Sequence, residues 1–211
     1  GLVLRLGRLL LGLRRRLGAV GLQLGHTLAD LRHHGQRRLF AFHDGIGALA
    51  EVGRAIAQRA TGFDMQIRYT NRKPVAGVPW QFEPALVELA RWADTLVVIT
   101  AGGAATRHLV NAEVLQALGP DGFLVNVARG SVVDQDALVQ ALQTGAIAGA
   151  GLDVYADAPQ VPAELMTLDN VVLLPHIASA TVQTRQAMAQ RVLDNLDAFV
   201  AGQPMPGAVQ A

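Results

Sequence analysis

The chain has 211 residues, 51% of them hydrophobic and 17% charged, with a formal net charge of +1 and no cysteine. That is apolar material for one good domain, or one and a half, and it argues against wholesale disorder. The near-neutral balance gives no general pull toward nucleic acid or membrane, and the missing cysteines exclude a disulfide framework, a thiolate zinc site and a cysteine nucleophile.

The first fifty residues differ from the rest. They hold eight arginines (Arg5, Arg8, Arg14, Arg15, Arg16, Arg32, Arg37 and Arg38), four of the six histidines, no Lys or Glu, and only Asp30 and Asp44 as acids. An organellar targeting peptide is one reading, but the segment is Gly-rich and contains no Ser. A basic amphipathic helix at a membrane surface is another, opposed by Gly7, Gly12, Gly18, Gly21 and Gly25. The preferred reading is a degraded or out-of-frame stretch upstream of a genuine domain. His26, His33 and His34 with Asp30 invite a zinc site, but no ligand spacing supports one and none is expected. Leu39–Asp44 reads as a poor first strand. No apolar run reaches the roughly 18 residues that a membrane-spanning helix needs.

From Gly53 the periods become clear. Residues 53–60 read as a helix, 65–69 as a strand and 84–92 as a helix. The run Thr95–Thr100 (TLVVIT) has the apolar continuity of a buried parallel strand. A helix follows over 111–118, stopped by Gly119-Pro120, then a buried strand over 122–127 and a helix over 134–143 ended by Gly145. Strands over 147–154 and 171–174 and a long helix over 181–200 complete the chain. Short strands alternating with longer helices predict an α/β fold with a Rossmann-like, doubly wound parallel sheet. The expected divisions are 1–50 as a poorly matching segment, 51–180 as the dinucleotide-binding domain, and 181–211 as a closing helix and tail.

In such a sheet, ligands bind beyond the carboxyl ends of the strands, where the strand order switches. The stretches following the strands therefore carry the functional reading. After the strand over 122–127 comes Ala128-Arg129-Gly130-Ser131. A guanidinium on a glycine turn at a strand end can clamp a carboxylate and a carbonyl with two aligned donors. Further on stand Gly151-Leu152-Asp153-Val154-Tyr155 and Leu174-Pro175-His176-Ile177-Ala178-Ser179. A histidine after a proline turn is by itself as readily structural as functional. Reduction of a ketone, however, requires a positioned acid with a pKa near neutrality, which histidine supplies.

Arg, Asp and His in this order, within these neighbours, resemble the D-2-hydroxyacid dehydrogenase family over residues 52–200. The resemblance implies that Arg129 binds and polarises a 2-oxo acid and that His176 protonates its carbonyl oxygen. It implies too that Asp153 helps hold a nicotinamide. The string Tyr69-Thr70-Asn71-Arg72-Lys73-Pro74 is similar to glyoxylate/hydroxypyruvate reductases and offers two cations and no acid. NADP is therefore expected over NAD, because an acid at this strand end would serve the ribose hydroxyls. Thr100-Ala101-Gly102-Gly103 and Thr106-Arg107-His108-Leu109 resemble that subgroup's loop over the nicotinamide ribose, with Ala101 where Pro is usual; His108 reads as structural or surface. The implied catalytic residues are Arg129 and His176. The implied cofactor contacts are Gly53, Asn71, Arg72, Lys73, Thr100, Thr106, Ala128, Asp153 and His176. No metal is implied.

Two departures from the family pattern stand out. Ala158 occupies the position where members carry a Glu that supports the protonated histidine; its loss should lower the histidine's pKa. The phosphate turn G-x-G-x-x-G has its third glycine at Gly53 only if Ala48 and Ala50 replace the first two. A shifted match, Gly45-Ile46-Gly47-Ala48-Leu49-Ala50, lies three residues early. The substrate-domain residues that precede the nucleotide module in this family find no match in residues 1–50. Two functions follow as expectations. One is an NADP(H)-dependent reductase of glyoxylate or hydroxypyruvate, cytoplasmic, acting on small molecules and not on nucleic acid or membrane, with a homodimer implied by resemblance. The other is a truncated nucleotide-binding module with weak or no catalysis.

Overall fold

The computed structural model describes residues 38–44 and 48–208, with side chains from Glu51 onward. The described residues belong to one compact unit that starts at Arg38. His26, Asp30, His33, His34, Gly45 and Gly47 lie outside them.

The strands are β1 (Arg38–Asp44), β2 (Gln66–Thr70), β3 (Gln81–Phe82), β4 (Thr95–Thr100), β5 (Phe123–Asn126), β6 (Gly149–Leu152) and β7 (Val171–Leu173). They form one parallel sheet in the order β3-β2-β1-β4-β5-β6-β7. The chain builds outward from β1 to β3, then returns to the other side of β1 with β4. The order thus reverses between β1 and β4, as expected of a doubly wound sheet.

The expectation of a poor strand over 39–44 is corrected. β1 is central, pairing with β2 from Arg38↔Gln66 to Phe42↔Thr70 and with β4 from Leu39↔Thr95 to Asp44↔Thr100. A central strand takes its main-chain hydrogen bonds from both neighbours, and those bonds do not require a favourable side-chain pattern.

The helices are α1 (Ala48–Thr61), α2 (Leu86–Trp92), α3 (Ala112–Leu118), α4 (Gln135–Thr144), α5 (Ala163–Met166) and α6 (Val182–Val200). Their ends follow local chemistry. The side chains of Asn111, Asp134 and Thr181 accept the N–H of Val114, Ala137 and Thr184, each at 3.1 Å, which satisfies an amide left without a partner in the first turn. Gly145 closes α4 with φ +69°, a left-handed cap that suits glycine. Two elements, β3 and α5, escaped the sequence reading because two and four residues are too short to show a period.

β4 shows why its sequence is apolar throughout. Leu96 and Val98 enter a core shared with Leu89, Leu115, Leu124 and Leu138 of the flanking helices and β5. Val97 and Ile99 face the opposite side with Ala57, Ala60 and Ile67. A strand buried on both faces has no polar side to present. No described helix is long and apolar enough to cross a membrane.

Candidate functional site

A cavity of about 500 Å³ opens where the chain leaves β4, β5 and β6, beside the reversal of strand order. Thr100, Gly102, Gly103, Arg129, Gly130 and Tyr155 contribute to its wall.

The turn after β5 presents Arg129. Asn126, 1% exposed, accepts the N–H of Ala128 at 3.0 Å through Oδ1 and donates from Nδ2 to the Arg129 carbonyl at 3.2 Å. One buried amide side chain thereby satisfies two main-chain groups and sets the bend. The Arg129 guanidinium donates from Nη1 to the Ala128 carbonyl at 2.7 Å. Ala128 itself is fully buried. Glycines on either side let the loops meet. A Cβ on Gly102 would lie 2.8 Å from Arg129 Cγ, and one on Gly130 would lie 1.9 Å from the carbonyl of Tyr155. The second contact is with main chain, which cannot rotate away. Gly130 is therefore required for the Arg129 turn to sit against the chain leaving β6.

Asp153, which follows the adjacent strand β6, is 3% exposed. Its Oδ1 accepts the N–H of Ile177 at 2.8 Å and its Oδ2 the N–H of Ala178 at 3.1 Å. Tyr155, 7% exposed, donates its hydroxyl to the Leu174 carbonyl at 2.8 Å. His176 lies between these anchors with φ +55°, a left-handed backbone that costs a residue bearing a Cβ about 1–2 kcal/mol. Its side chain is exposed, and it forms no ion pair among the described residues. Asp157 and Ala158 are both exposed. Burial, reinforced by the nearby Asp153 carboxylate, pushes the Tyr155 phenol above its ordinary value.

The residues singled out in the sequence take different places. Thr100 and Arg129 line the cavity. Thr106 is buried and spends its hydroxyl proton inside its own loop, donating to the Ala101 carbonyl at 2.6 Å. Asn71, Arg72 and Lys73 follow β2, where Asn71 Oδ1 accepts the Arg72 N–H at 2.8 Å and both cationic side chains are exposed. Gly53 is buried in the second turn of α1. The connection from β1 to α1 falls on residues 45–47, outside the described residues and on the glycines of the shifted match. His108 has φ +50°, donates its N–H to the Ser131 carbonyl at 2.9 Å and places Nδ1 3.7 Å from Asp134 Oδ2, a loop-to-loop tie. No group of three or more His, Cys, Asp or Glu able to hold a metal occurs among the described residues. Sequence reading assigned no role to Asn126 or Tyr155, and gave Gly130 only the turn that carries Arg129. Asn126 stands three residues before Arg129 and Gly130 one after it, and that proximity was the available signal.

The residues present fit a dinucleotide in two respects: a roomy cavity at the strand ends, and a cationic, acid-free loop after β2. Comparison with known proteins agrees. The chain is 45% identical over 161 residues to hydroxyphenylpyruvate reductase from Plectranthus scutellarioides, covering 76% of this chain and 51% of that protein. It is 45% identical over 161 residues to glyoxylate/hydroxypyruvate reductase A from Arabidopsis thaliana, with the same coverage. The structure of an NADPH-dependent glyoxylate/hydroxypyruvate reductase from Sinorhizobium meliloti, in complex with NADP and malonate, superposes with a TM-score of 0.73 at 49% identity, covering 79% of this chain and 51% of that one. The chain spans about half the length of the curated relatives it matches. The family model described as D-isomer specific 2-hydroxyacid dehydrogenase, NAD binding domain, matches residues 8–178 and so begins within the Arg-rich segment. The chain therefore belongs to the D-isomer specific 2-hydroxyacid dehydrogenases, through that family's NAD-binding domain.

Proposed function

We propose that this chain is the cofactor-binding half of an NADP(H)-dependent reductase that converts a small 2-oxo acid, glyoxylate or hydroxypyruvate, to the D-2-hydroxy acid. The observation that carries the proposal is Arg129 on the wall of the strand-end cavity, across β6 from the anchored His176 segment. The relatives named as glyoxylate or hydroxypyruvate reductases support the substrate class, and the NADP-bound neighbour supports the cofactor. The reduced dinucleotide, when bound, supplies the hydride. Arg129 orients the substrate carboxylate and polarises its carbonyl, and His176 delivers a proton to the carbonyl oxygen. Asn71, Arg72 and Lys73 hold the 2′-phosphate end. Thr100, Thr106, Ala128 and Asp153 shape the nicotinamide end, with Thr106 and Asp153 acting through the loops they fasten. Gly53 belongs to the helix that follows the phosphate turn. The proposed divisions are 51–180 for the dinucleotide-binding domain, to which the sheet adds β1, and 181–211 for the closing helix and tail. A cytoplasmic location and a homodimer complete the proposal, in keeping with a cysteine-free sequence and with family resemblance.

One observation favours a second reading of the chain as it stands. His176 has no carboxylate paired with it among the described residues, and Ala158 supplies none. Binding of NADPH with very slow turnover is the outcome that this arrangement favours. Titration of the 211-residue chain with NADPH, followed by NADPH oxidation with each oxo acid, tests both readings. No NADPH binding sinks both, and ordinary reductase turnover sinks the second.

A further inference from the structure

We infer that Tyr155 is a positioning residue that couples the Arg129 turn to the His176 segment. The inference rests on the roles proposed above for those two residues. The main chain of Tyr155 lies against Gly130, so closely that a Cβ there would meet its carbonyl at 1.9 Å. The next amide, that of Ala156, donates to Gln135 Oε1 at 3.0 Å, which fastens the same stretch to the residue that opens α4. The phenol reaches the other way and donates to the carbonyl of Leu174, two residues before His176. Asp153 holds the two residues after His176 by their N–H groups. His176 is thus gripped from both sides while its backbone is left-handed, a conformation that persists only where neighbours over-determine it. Asp153 fixes the exit from His176 through these two amides. At the entry, the Leu174 N–H donates to the Leu152 carbonyl at 2.9 Å and the Tyr155 hydroxyl holds the Leu174 carbonyl, and Tyr155 is the residue whose own backbone also bears on the Arg129 turn.

The hydroxyl is the informative atom, because phenylalanine fills the same buried volume without it. Tyr155→Phe should keep the fold and NADPH affinity within about twofold, while the ¹³C signals of the His176 ring in a histidine-labelled full chain shift and broaden. Where turnover is measurable, kcat should fall about ten- to a hundredfold with KM nearly unchanged, the cost of misplacing a catalytic group. Replacing Tyr155 with 4-aminophenylalanine, which retains a donor at that position, should restore the parent spectrum. An unmoved His176 signal in Tyr155→Phe overturns the inference, as does an aminophenylalanine variant that matches Phe instead of Tyr. Absence of NADPH binding in the parent would instead overturn the proposed function, leaving the spectral comparison to decide the role of Tyr155.

Discussion

The carboxylate of Asp153 accepts the main-chain N–H of Ile177 at 2.8 Å, from a position 24 residues earlier in the chain and at the end of a different strand. With the matching bond to Ala178, both oxygens of a 3%-exposed carboxylate serve to hold the segment that carries His176. A hydrogen bond to a charged group contributes about 1.5–3 kcal/mol. This buried acid is therefore a structural anchor whatever else it touches.

Removing that anchor should loosen one segment and spare the sheet. Asp153→Ala is expected to cost about 2–3 kcal/mol, since it leaves two amides without their acceptor. Amide exchange at Ile177 and Ala178 should accelerate strongly, while β4 stays protected. Uniform acceleration across the sheet would show instead that Asp153 supports the whole fold.

Two glycines make a sharp contrast. Gly130→Ala drives a Cβ into the Tyr155 backbone at 1.9 Å, whereas the nearest atom to a Cβ on Gly151 is Val125 Cγ2 at 3.9 Å, an ordinary contact. Overpacking costs typically about 1–3 kcal/mol, and more where main chain must move. Gly130→Ala should lower the unfolding free energy by at least that much, and with it the denaturation midpoint, while Gly151→Ala should stay within about 1 kcal/mol of the parent. Equal midpoints for the two variants would refute the close approach.

Cofactor preference should reside in the loop after β2. Arg72 and Lys73 are exposed cations with no acid in Thr70–Pro74. A phosphate contact from partly exposed cations contributes about 1–3 kcal/mol, so Arg72→Ala should bring NADPH affinity toward that for NADH. Fluorescence titration with both dinucleotides reads this directly, and an unchanged ratio would remove Arg72 from the site.

The position of Ala158 predicts a gain of function. Proton transfer by a positioned acid contributes about 10²–10⁴-fold, and a carboxylate partner stabilises the protonated imidazole. The chain should reduce glyoxylate or hydroxypyruvate very slowly. Ala158→Glu, in a fusion of residues 38–211 to a relative's substrate domain, should raise turnover and move the basic limb of the pH profile upward. A profile unmoved by the substitution would show that this carboxylate does not reach His176.

Tyr155 also makes an alkaline prediction. Its phenol holds its proton more tightly in the folded state than in the unfolded chain, where tyrosine titrates near 10. The stability linked to that difference is fully present below the unfolded value and is lost as pH rises through the folded one. Denaturation midpoints of the parent should therefore fall more steeply above about pH 10 than those of Tyr155→Phe. Parallel curves would mean that the buried phenol does not titrate with unfolding.

The alternation of strands and helices was legible in the sequence because periodicity and capping are local. TLVVIT declares a strand buried on both faces, and Asn111, Asp134 and Thr181 cap helices through amides three residues away. The motif order Arg129, Asp153, His176 was legible too, since each follows an apolar run and strand ends are where such sheets bind ligands. What those side chains touch was decided by tertiary structure. Leu39–Asp44 becomes a central strand because β2 and β4 supply its hydrogen bonds. Thr106 turns its hydroxyl onto its own loop, Asp153 reaches 24 and 25 residues ahead, and Tyr155 reaches 19. Gly130 matters through a backbone that meets it only after the sheet has formed. Such partners are set by which strands become neighbours, and no local period or propensity encodes that.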